Sequence, residues 1–295
     1  MRRQAGRLLF LLPGVVLLMM FIAYPIGATI VLGFVQKDTG EFPTLENYEY
    51  VLTNRETVNT RNIPDGDFPM GTLIHNGLWI AIHLPLTLFI GLALALILRD
   101  VKGASVVKGA VFLGMVTPMI VGGVILRYIY EGNVGLVPAF FGLIGVESLS
   151  HGWLIFPQTA LFGLIFGSVW MWTGFSLIVY SAGLTTIPKE YFEAARIDGA
   201  SAFRIFTRIT FPLLKPITLV VVTMSILWEL KIFDIVFSAV SVTGGPGGAA
   251  DVMAIQMYRY AFQGLQFERG AAVASLLTIL TLLATVWLVR RLVRR

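Results

Sequence analysis

The chain has 295 residues, of which 56% are hydrophobic and only 13% are charged, and its mean hydropathy is +0.80. A soluble domain of this length cannot bury so much apolar surface, so the composition predicts an integral membrane protein. No cysteine is present, which excludes disulfides and thiolate metal sites. The net charge of +5 comes from basic clusters beside apolar stretches, a pattern typical of membrane topology rather than of nucleic-acid binding.

Six apolar segments are long enough to cross a bilayer, whose hydrocarbon core of ~30 Å requires about 20 helical residues. They are 8–34, 74–98, 109–130, 158–182, 213–240 and 269–290. We therefore predict an all-α membrane protein with one transmembrane domain over residues 1–295. The first segment is longer than the apolar core of a signal peptide and lacks a small-x-small cleavage site, which favours a retained helix over a secretory signal.

The basic residues predict the orientation of these spans. With a cytoplasmic N-terminus, 15 of the 22 Lys and Arg residues fall in inner segments. The outer loop 35–73 instead contains seven acidic residues against three basic ones. Since basic residues concentrate on the cytoplasmic side of membrane proteins, both termini are predicted to be cytoplasmic.

Prolines interrupt several spans. They are Pro25, Pro85, Pro118 and Pro216. Such breaks fit a protein that moves or lines a water-filled path, because neighbouring groups must satisfy the freed carbonyls, and a kinked structural bundle is the alternative. The three histidines show no metal-ligand spacing such as H-E-x-x-H, so no metal site is predicted.

A polar segment, EYFEAARIDGASAFRIFTRITFP (190–212), separates the fourth and fifth spans. Pro188 and the glutamates after it suit a helix N-terminus, and Gly199 can adopt the left-handed conformation that ends a helix. Ser201 can then cap a second helix. These features predict a compact helix-turn-helix, which either docks into a partner or lies on the lipid surface as an amphipathic connector.

This segment resembles the EAA signature of bacterial ABC-importer permeases, whose elements stand here as Glu193-Ala194-Ala195, Gly199 and Ile209-x-Phe211-Pro212. Phenylalanine replaces the usual leucine before the proline. A second stretch, from Leu230 to Phe262, is similar to the "FD…TGGP…Y…AF" region of the MalF/UgpA-like carbohydrate permeases. The resemblance covers nearly the whole chain, including "AYPIG" in the first span and "TP" in the third, and implies the six-helix type I ABC-importer permease fold.

The resemblance also implies the partners. In that family one permease pairs with a second, homologous permease as a heterodimer, with two cytoplasmic ATPase subunits and with an extracytoplasmic solute-binding protein. ATP and Mg²⁺ belong to the ATPase, and this chain has no G-x-x-x-x-G-K-[ST] motif, so it is expected to be neither an enzyme nor a cofactor protein. The location implied is the cytoplasmic (inner) membrane of a prokaryote, with no nucleic-acid partner.

By the same resemblance, the EAA coupling loop (183–212, called here the EAA segment) inserts into a groove on an ATPase subunit. The coupling residues expected are Glu193, Ala194, Ala195, Asp198, Gly199, Phe203, Arg204 and Phe206.

Candidates for the substrate path come from polar and aromatic residues at membrane depth, because ionisable groups are costly there. They are Trp228, Glu229, Asp234, Trp170 and Tyr258. If the fifth span is one helix, Lys231 pairs with Asp234 three residues on and leaves Glu229 free to face a cavity. The alternatives are that this cluster anchors the helix at the outer interface and that the aromatics serve packing.

A di- or oligosaccharide such as maltose, trehalose or another α-glucoside is the expected substrate, with sn-glycerol 3-phosphate as the alternative within the family. A secondary transporter should show a repeated half with buried ion-coupling residues, and no convincing repeat is present. A membrane-embedded enzyme would need convergent His, Asp or Glu side chains on facing spans, which three scattered histidines do not supply.

Overall fold

The computed structural model describes the backbone of residues 2–293 and the side-chain environment of residues 10–291. Within this part of the chain all regular structure is helical. The α-helices are α1 (Arg2–Leu18), α2 (Tyr24–Gly33), α3 (Glu46–Thr53), α4 (Thr72–Ile97), α5 (Ala104–Val116), α6 (Met119–Ile129), α7 (Leu136–Leu143), α8 (Pro157–Thr185), α9 (Lys189–Ile197), α10 (Ala202–Ile205), α11 (Phe211–Leu230), α12 (Asp234–Val240), α13 (Met253–Tyr258) and α14 (Phe267–Val293). Single π-helical turns join α1 to α2 and α10 to α11.

Five helical segments of the described chain are long and apolar enough to cross a membrane. They are Phe10–Gly33, Thr72–Ile97, Pro157–Thr185, Ala202–Leu230 and Phe267–Arg291. The pair α5 and α6, which meet at an angle of 99°, gives a sixth when the two helices are taken together as one bent span. The chain is therefore a multi-pass, all-α membrane protein.

The third apolar segment, predicted over 109–130 with an interruption at Pro118, is this bent pair. Thr117 has an extended ψ of 125°, and Pro118 is the residue that precedes α6. A proline cannot donate a backbone hydrogen bond and disfavours helical geometry in the residue before it, which explains the break.

Helix α8 lies at the centre of the bundle and packs against α4 and α5. Its close approach to α4 depends on Gly91, where a Cβ atom would collide with Ser176 of α8. Small residues at such contacts let transmembrane helices pack backbone to backbone. By contrast the apolar side chains of the span from Phe10 to Gly33 are mostly exposed, as expected for a peripheral span.

The segment between the first two spans folds back onto the helix ends. The Asn47 side chain donates hydrogen bonds to the carbonyl oxygens of Gly33 (3.1 Å) and Val35 (2.7 Å). It thereby satisfies carbonyls left free at the end of α2. Helix α3 also packs against α14, which fixes this segment over one end of the bundle.

Candidate functional site

A cavity of about 280 Å³ lies where the two broken spans face α8. Met115 and Met119 enter it from either side of the α5–α6 bend, and Trp172 enters from α8. The end of α11 and the segment that follows it supply much of the remaining wall. Their residues in the cavity are Trp228, Lys231, Ile232, Phe233, Asp234 and Ile235. Both interruptions of regular helix are thus used to build one concave surface.

The fifth span ends at Leu230, ten residues earlier than expected, and this break has a specific polar partner. The Asn76 side chain of α4 donates to the carbonyl oxygens of Glu229 (3.1 Å) and Leu230 (3.5 Å). Its Oδ1 atom accepts the backbone N–H of Met253 (2.9 Å), at the start of α13. Asn76 therefore caps α11 from a neighbouring span and holds the broken helix in register with α13.

The break also changes the expected ion pair. Lys231 lies in the non-helical link and Asp234 begins α12. The two side chains form no salt bridge, because none of the ion pairs within 4.0 Å among the described residues joins them. The Lys231–Asp234 pairing inferred from a continuous helix is therefore wrong, and both charged side chains are exposed at the cavity wall.

Aromatic rings form the deeper wall. The ring centroids of Trp172 and Trp228 are 6.0 Å apart at an interplanar angle of 68°, and Phe175 lies 4.9 Å from Trp228. Edge-to-face contacts of this kind fix ring orientation. The cavity thus presents flat apolar faces beside one cation and one anion.

Glu229 does not line this cavity. Its side chain is fully buried, and its Oε1 atom lies 2.7 Å from Nδ1 of His83 in α4, which is also fully buried. The rings of Trp172 and His83 meet nearly at right angles, with centroids 5.2 Å apart. The expectation that Glu229 faces a cavity is therefore wrong in this structure, and the His83–Glu229 pair instead supports the aromatic wall from behind.

The other two path candidates lie elsewhere. Trp170 packs against Gly114 of α5, on a different side of α8 from Trp172. Tyr258 packs against Phe233 and Phe237, with centroids 5.5 and 5.8 Å apart, so it contacts the back of one cavity residue without lining the cavity.

Sequence reasoning missed His83 and the methionines of the α5–α6 bend. The position of His83 was the available signal, because a histidine in the middle of an apolar span needs a polar partner. Glu229, the acidic residue within the helical part of the fifth span, was the candidate for that partner. No residue pattern indicated the methionines, since flexible apolar side chains are ordinary core residues.

The EAA segment is a helix-turn-helix. Pro188 precedes α9, Gly199 has the left-handed φ of +73°, and the Ser201 hydroxyl accepts the backbone N–H of Arg204 (3.3 Å). These three local predictions are confirmed. The two phenylalanines among the expected coupling residues differ in environment, because Phe203 is 76% exposed whereas Phe206 packs against the core and Phe211.

One buried side chain anchors the segment to the bundle. Phe192 is buried in a cluster with α4, α8 and α11, and the guanidinium of Arg99 lies 4.2 Å above its ring centroid. The opposite surface leaves Ile197 87% exposed, beside exposed Glu193, Ala194 and Asp198, while Ala195 is half-buried. The segment thus has one face fixed to the spans and another that presents apolar side chains among charged ones.

A second polar cluster lies near the glycine-rich turn TGGPGGAAD (243–251). Arg259 donates to Asp251 (2.6 Å), to Glu56 (3.2 Å) and to the carbonyl oxygen of Val242 (3.0 Å). Burial raises the pKa of Asp251 to about 6, and the adjacent Arg259 opposes this shift without cancelling it. The cluster ties this turn to the segment before α4.

Residues 87–295 match the sequence family described as the binding-protein-dependent transport system inner membrane component. The match covers the EAA segment and the whole cavity. The chain belongs to this family. It is accordingly the permease component of a binding-protein-dependent ABC importer.

Several relatives align over nearly the full length of the permease. A probable ABC transporter permease protein of Pyrococcus horikoshii is 52% identical over 99% of both chains. The trehalose/maltose transport system permease protein of Thermococcus litoralis is 31% identical over 94% of this chain and 90% of its own. The osmoprotective compounds uptake permease protein of a Synechocystis strain is 30% identical over 96% and 97%. Carbohydrate permeases are thus among the relatives of this chain.

Solved structures share the fold of the permease. A chain of a bacterial ABC transporter that imports the acidic polysaccharide alginate matches with a TM-score of 0.79 at 20% identity, over 99% of this chain and 96% of its own. A second structure of a bacterial alginate transporter, in complex with its alginate-bound periplasmic protein, matches with a TM-score of 0.78 at 19% identity, over 97% and 93%. The six spans therefore adopt the type I ABC-importer permease fold.

Proposed function

We propose that this permease forms half of the path for a neutral di- or oligosaccharide, such as maltose, trehalose or another α-glucoside. The observation that carries the proposal is the cavity in which Trp172 and Trp228 stand beside Lys231 and Asp234. Aromatic faces pack on the C–H side of a sugar ring, and exposed charged groups hydrogen-bond its hydroxyls. The trehalose/maltose permease among the relatives supports the same substrate class.

The charges in the cavity favour a neutral sugar over sn-glycerol 3-phosphate. Lys231 could attract a phosphate, but Asp234 stands three residues away on the same wall and would repel it. A wall with one charge of each sign has no net preference for an anion. A neutral sugar is therefore the first candidate, and a phosphorylated substrate is the second.

Uptake by the complete transporter tests this proposal. The permease is reconstituted with its second permease, its ATPase and its binding protein, and ATP-dependent uptake of labelled maltose, trehalose and glycerol 3-phosphate is compared. We expect uptake of a disaccharide with little uptake of the phosphate ester. Transport of glycerol 3-phosphate alone would reject the sugar assignment.

We further propose that the EAA segment docks on a cytoplasmic ATPase subunit, which binds ATP and Mg²⁺, and that both termini lie on the same side. Closure of the ATPase dimer would then pull the segment and shift the permease toward its outward-open state. Support comes from Ile197 and Phe203, which are exposed among charged residues, and from the firm attachment of Phe192 to the spans. Most of the coupling residues proposed from the sequence are exposed near these side chains, whereas Phe206 packs against the core.

Two measurements test docking and sidedness. Phe203→Ala should reduce copurification of the ATPase, whereas Leu45→Ala, at an exposed apolar residue of the segment before α3, should not. Because the chain has no cysteine, single cysteines at Ala200 and Asp38 report sidedness by labelling with an impermeant maleimide. Equal copurification in both alanine variants, or labelling of both cysteines from one side, contradicts the arrangement.

A further inference from the structure

A second cavity, of about 320 Å³, lies where the end of α4, the start of α5, the end of α8 and the start of α9 meet. It is unlike the cavity between the broken spans, because its wall carries three basic side chains. They are Arg99, Lys108 and Lys189, and Asp100 is the acidic residue beside them. Each cation comes from a different part of the chain, so only the folded bundle brings them together.

These cations have no anionic partner in the structure. Within the described residues, the three ion pairs closer than 4.0 Å all involve other side chains, namely His83–Glu229, Arg259–Glu56 and Arg259–Asp251. With Asp100 counted, the wall has a formal charge of +2. Cations held together without a counter-ion repel one another, and an anion in the cavity removes that cost.

The cavity also offers a hydroxyl donor. The Ser181 Oγ atom is buried and makes no hydrogen bond within the described structure. The neighbouring Thr185 hydroxyl differs, because it donates to the carbonyl oxygen of Ala182 at 2.7 Å. A buried hydroxyl without a partner is costly unless a ligand or water satisfies it. Three cations and a free hydroxyl donor suit the oxygens of a phosphate group.

The position of the cavity indicates which kind of phosphate. Arg99 follows the end of α4, Lys108 lies in the second turn of α5, and Lys189 lies four residues after α8 ends. The cavity is therefore at one end of these spans, where lipid headgroups lie. The same helices expose large apolar side chains close by in the sequence, with Ile97 67% and Val106 77% exposed. Acyl chains can pack on such surfaces while a headgroup occupies the polar cavity. We propose that this cavity binds the phosphate of an anionic phospholipid such as phosphatidylglycerol.

A bound headgroup has a mechanical consequence. Lys189 is the first residue of α9, and Arg99 lies over the Phe192 ring of the same helix. A phosphate that contacts both cations therefore bridges the α4–α5 turn to α9. If α9 couples to the ATPase as proposed above, the lipid stiffens the coupling segment, but lipid binding itself does not depend on that role.

The test is a binding measurement on the full-length chain, purified in a neutral detergent. A fluorescent short-chain phosphatidylglycerol is titrated into the protein, with the matching phosphatidylcholine as the zwitterionic control. Unlabelled inorganic phosphate is then added as a competitor. We expect saturable binding of phosphatidylglycerol, at least fivefold weaker binding of phosphatidylcholine, and no displacement by inorganic phosphate at matched concentration.

Matched variants locate the site. Lys108→Gln should weaken phosphatidylglycerol binding by about fivefold, since a basic residue near an anionic headgroup contributes about 1 kcal/mol. Lys102→Gln removes the same charge from the link just before α5, and Lys102 does not line the cavity, so this variant should leave binding within about twofold. Asp100→Asn should strengthen binding, because it removes the one negative charge in the wall.

Three results would overturn the proposal. Equal binding of the two lipids rejects recognition of the anionic headgroup. Displacement by inorganic phosphate at matched concentration assigns the cavity to a soluble anion instead. Equal losses in the Lys102 and Lys108 variants reduce the effect to overall charge. Thermal unfolding of each variant without lipid verifies folding, and since Lys102, Lys108 and Asp100 are not buried, their midpoints should match that of the unmodified chain.

Discussion

Glu229 Oε1 lies 2.7 Å from His83 Nδ1, and both side chains are fully enclosed between α4, α8 and α11. The pair stands directly behind Trp172, a residue that lines the cavity between the broken spans. An ionisable group at membrane depth is a functional candidate by default, yet here its partner satisfies one carboxylate oxygen within the protein. The pair is therefore a support for the cavity wall rather than a part of its surface.

Loss of this support should cost stability. Glu229→Ala leaves His83 buried without its partner, and we expect a loss of about 1–3 kcal/mol in the free energy of unfolding. Glu229→Gln keeps an oxygen and the side-chain volume, so its loss should be smaller. Thermal unfolding in detergent, followed by tryptophan fluorescence, measures both variants.

A double-mutant cycle separates the pair from its surroundings. If the two residues act together, the combined Glu229→Ala and His83→Ala variant should lose less than the sum of the single losses. Strict additivity would show that the hydrogen bond between them contributes nothing.

Trp228 of α11 and Trp170 of α8 provide a matched test of the proposed substrate path. Trp228 lines the cavity, whereas Trp170 packs against Gly114 away from it. Trp228→Ala should raise the KM for sugar uptake about five- to tenfold, corresponding to about 1 kcal/mol of lost aromatic contact. Trp170→Ala should leave KM nearly unchanged, and a larger effect of Trp170→Ala on KM would place the path on the other side of α8.

Two glycines with similar backbone conformations separate strain from coupling. Gly199 has a φ of +73° in the EAA segment, and Gly103 has a φ of +79° between α4 and α5. Alanine at either position should cost about 1–2 kcal/mol, because L-residues avoid left-handed geometry. Neither site is crowded by nearby side chains. Only Gly199→Ala should also reduce sugar-stimulated ATP hydrolysis in the reconstituted complex. If both variants lose the same ATPase activity, the turn at Gly199 has no role beyond stability.

The stability of the protein should depend on Asp251 in mildly acidic solution. Its pKa is raised from 3.8 to about 6 in the folded chain. Between these two values the folded state binds more protons at this group than the unfolded state, so this contribution to stability falls as pH rises from about 4 to about 6. Above about pH 7 the contribution is constant.

Asp251→Asn isolates that titration. Asparagine does not titrate at this position. As pH rises from 4 to 6, the Tm of the unmodified protein should therefore fall relative to the Tm of the variant. A Tm difference that stays flat over this interval would show that Arg259 holds Asp251 ionised throughout.

The sequence by itself determined the features that depend on local chemistry. Apolar length identified the spans, since a bilayer requires about 20 residues in a helix whatever its neighbours are. Gly199 and Ser201 specified the turn of the EAA segment, because left-handed geometry and helix capping act within a few residues. The EAA spacing identified the family, to which the chain belongs.

Only the tertiary structure decided what the buried polar side chains do. Asn76 binds the carbonyl groups at the end of the fifth span, although it lies more than 150 positions earlier in the chain. Because the helix ends there, the Lys231–Asp234 pair expected for a continuous helix does not form. His83, also on α4, is likewise the buried partner of Glu229 in the fifth span. The physical reason is that a polar group within a membrane must find a partner somewhere, while the sequence pattern of one helix does not specify which neighbouring helix supplies it.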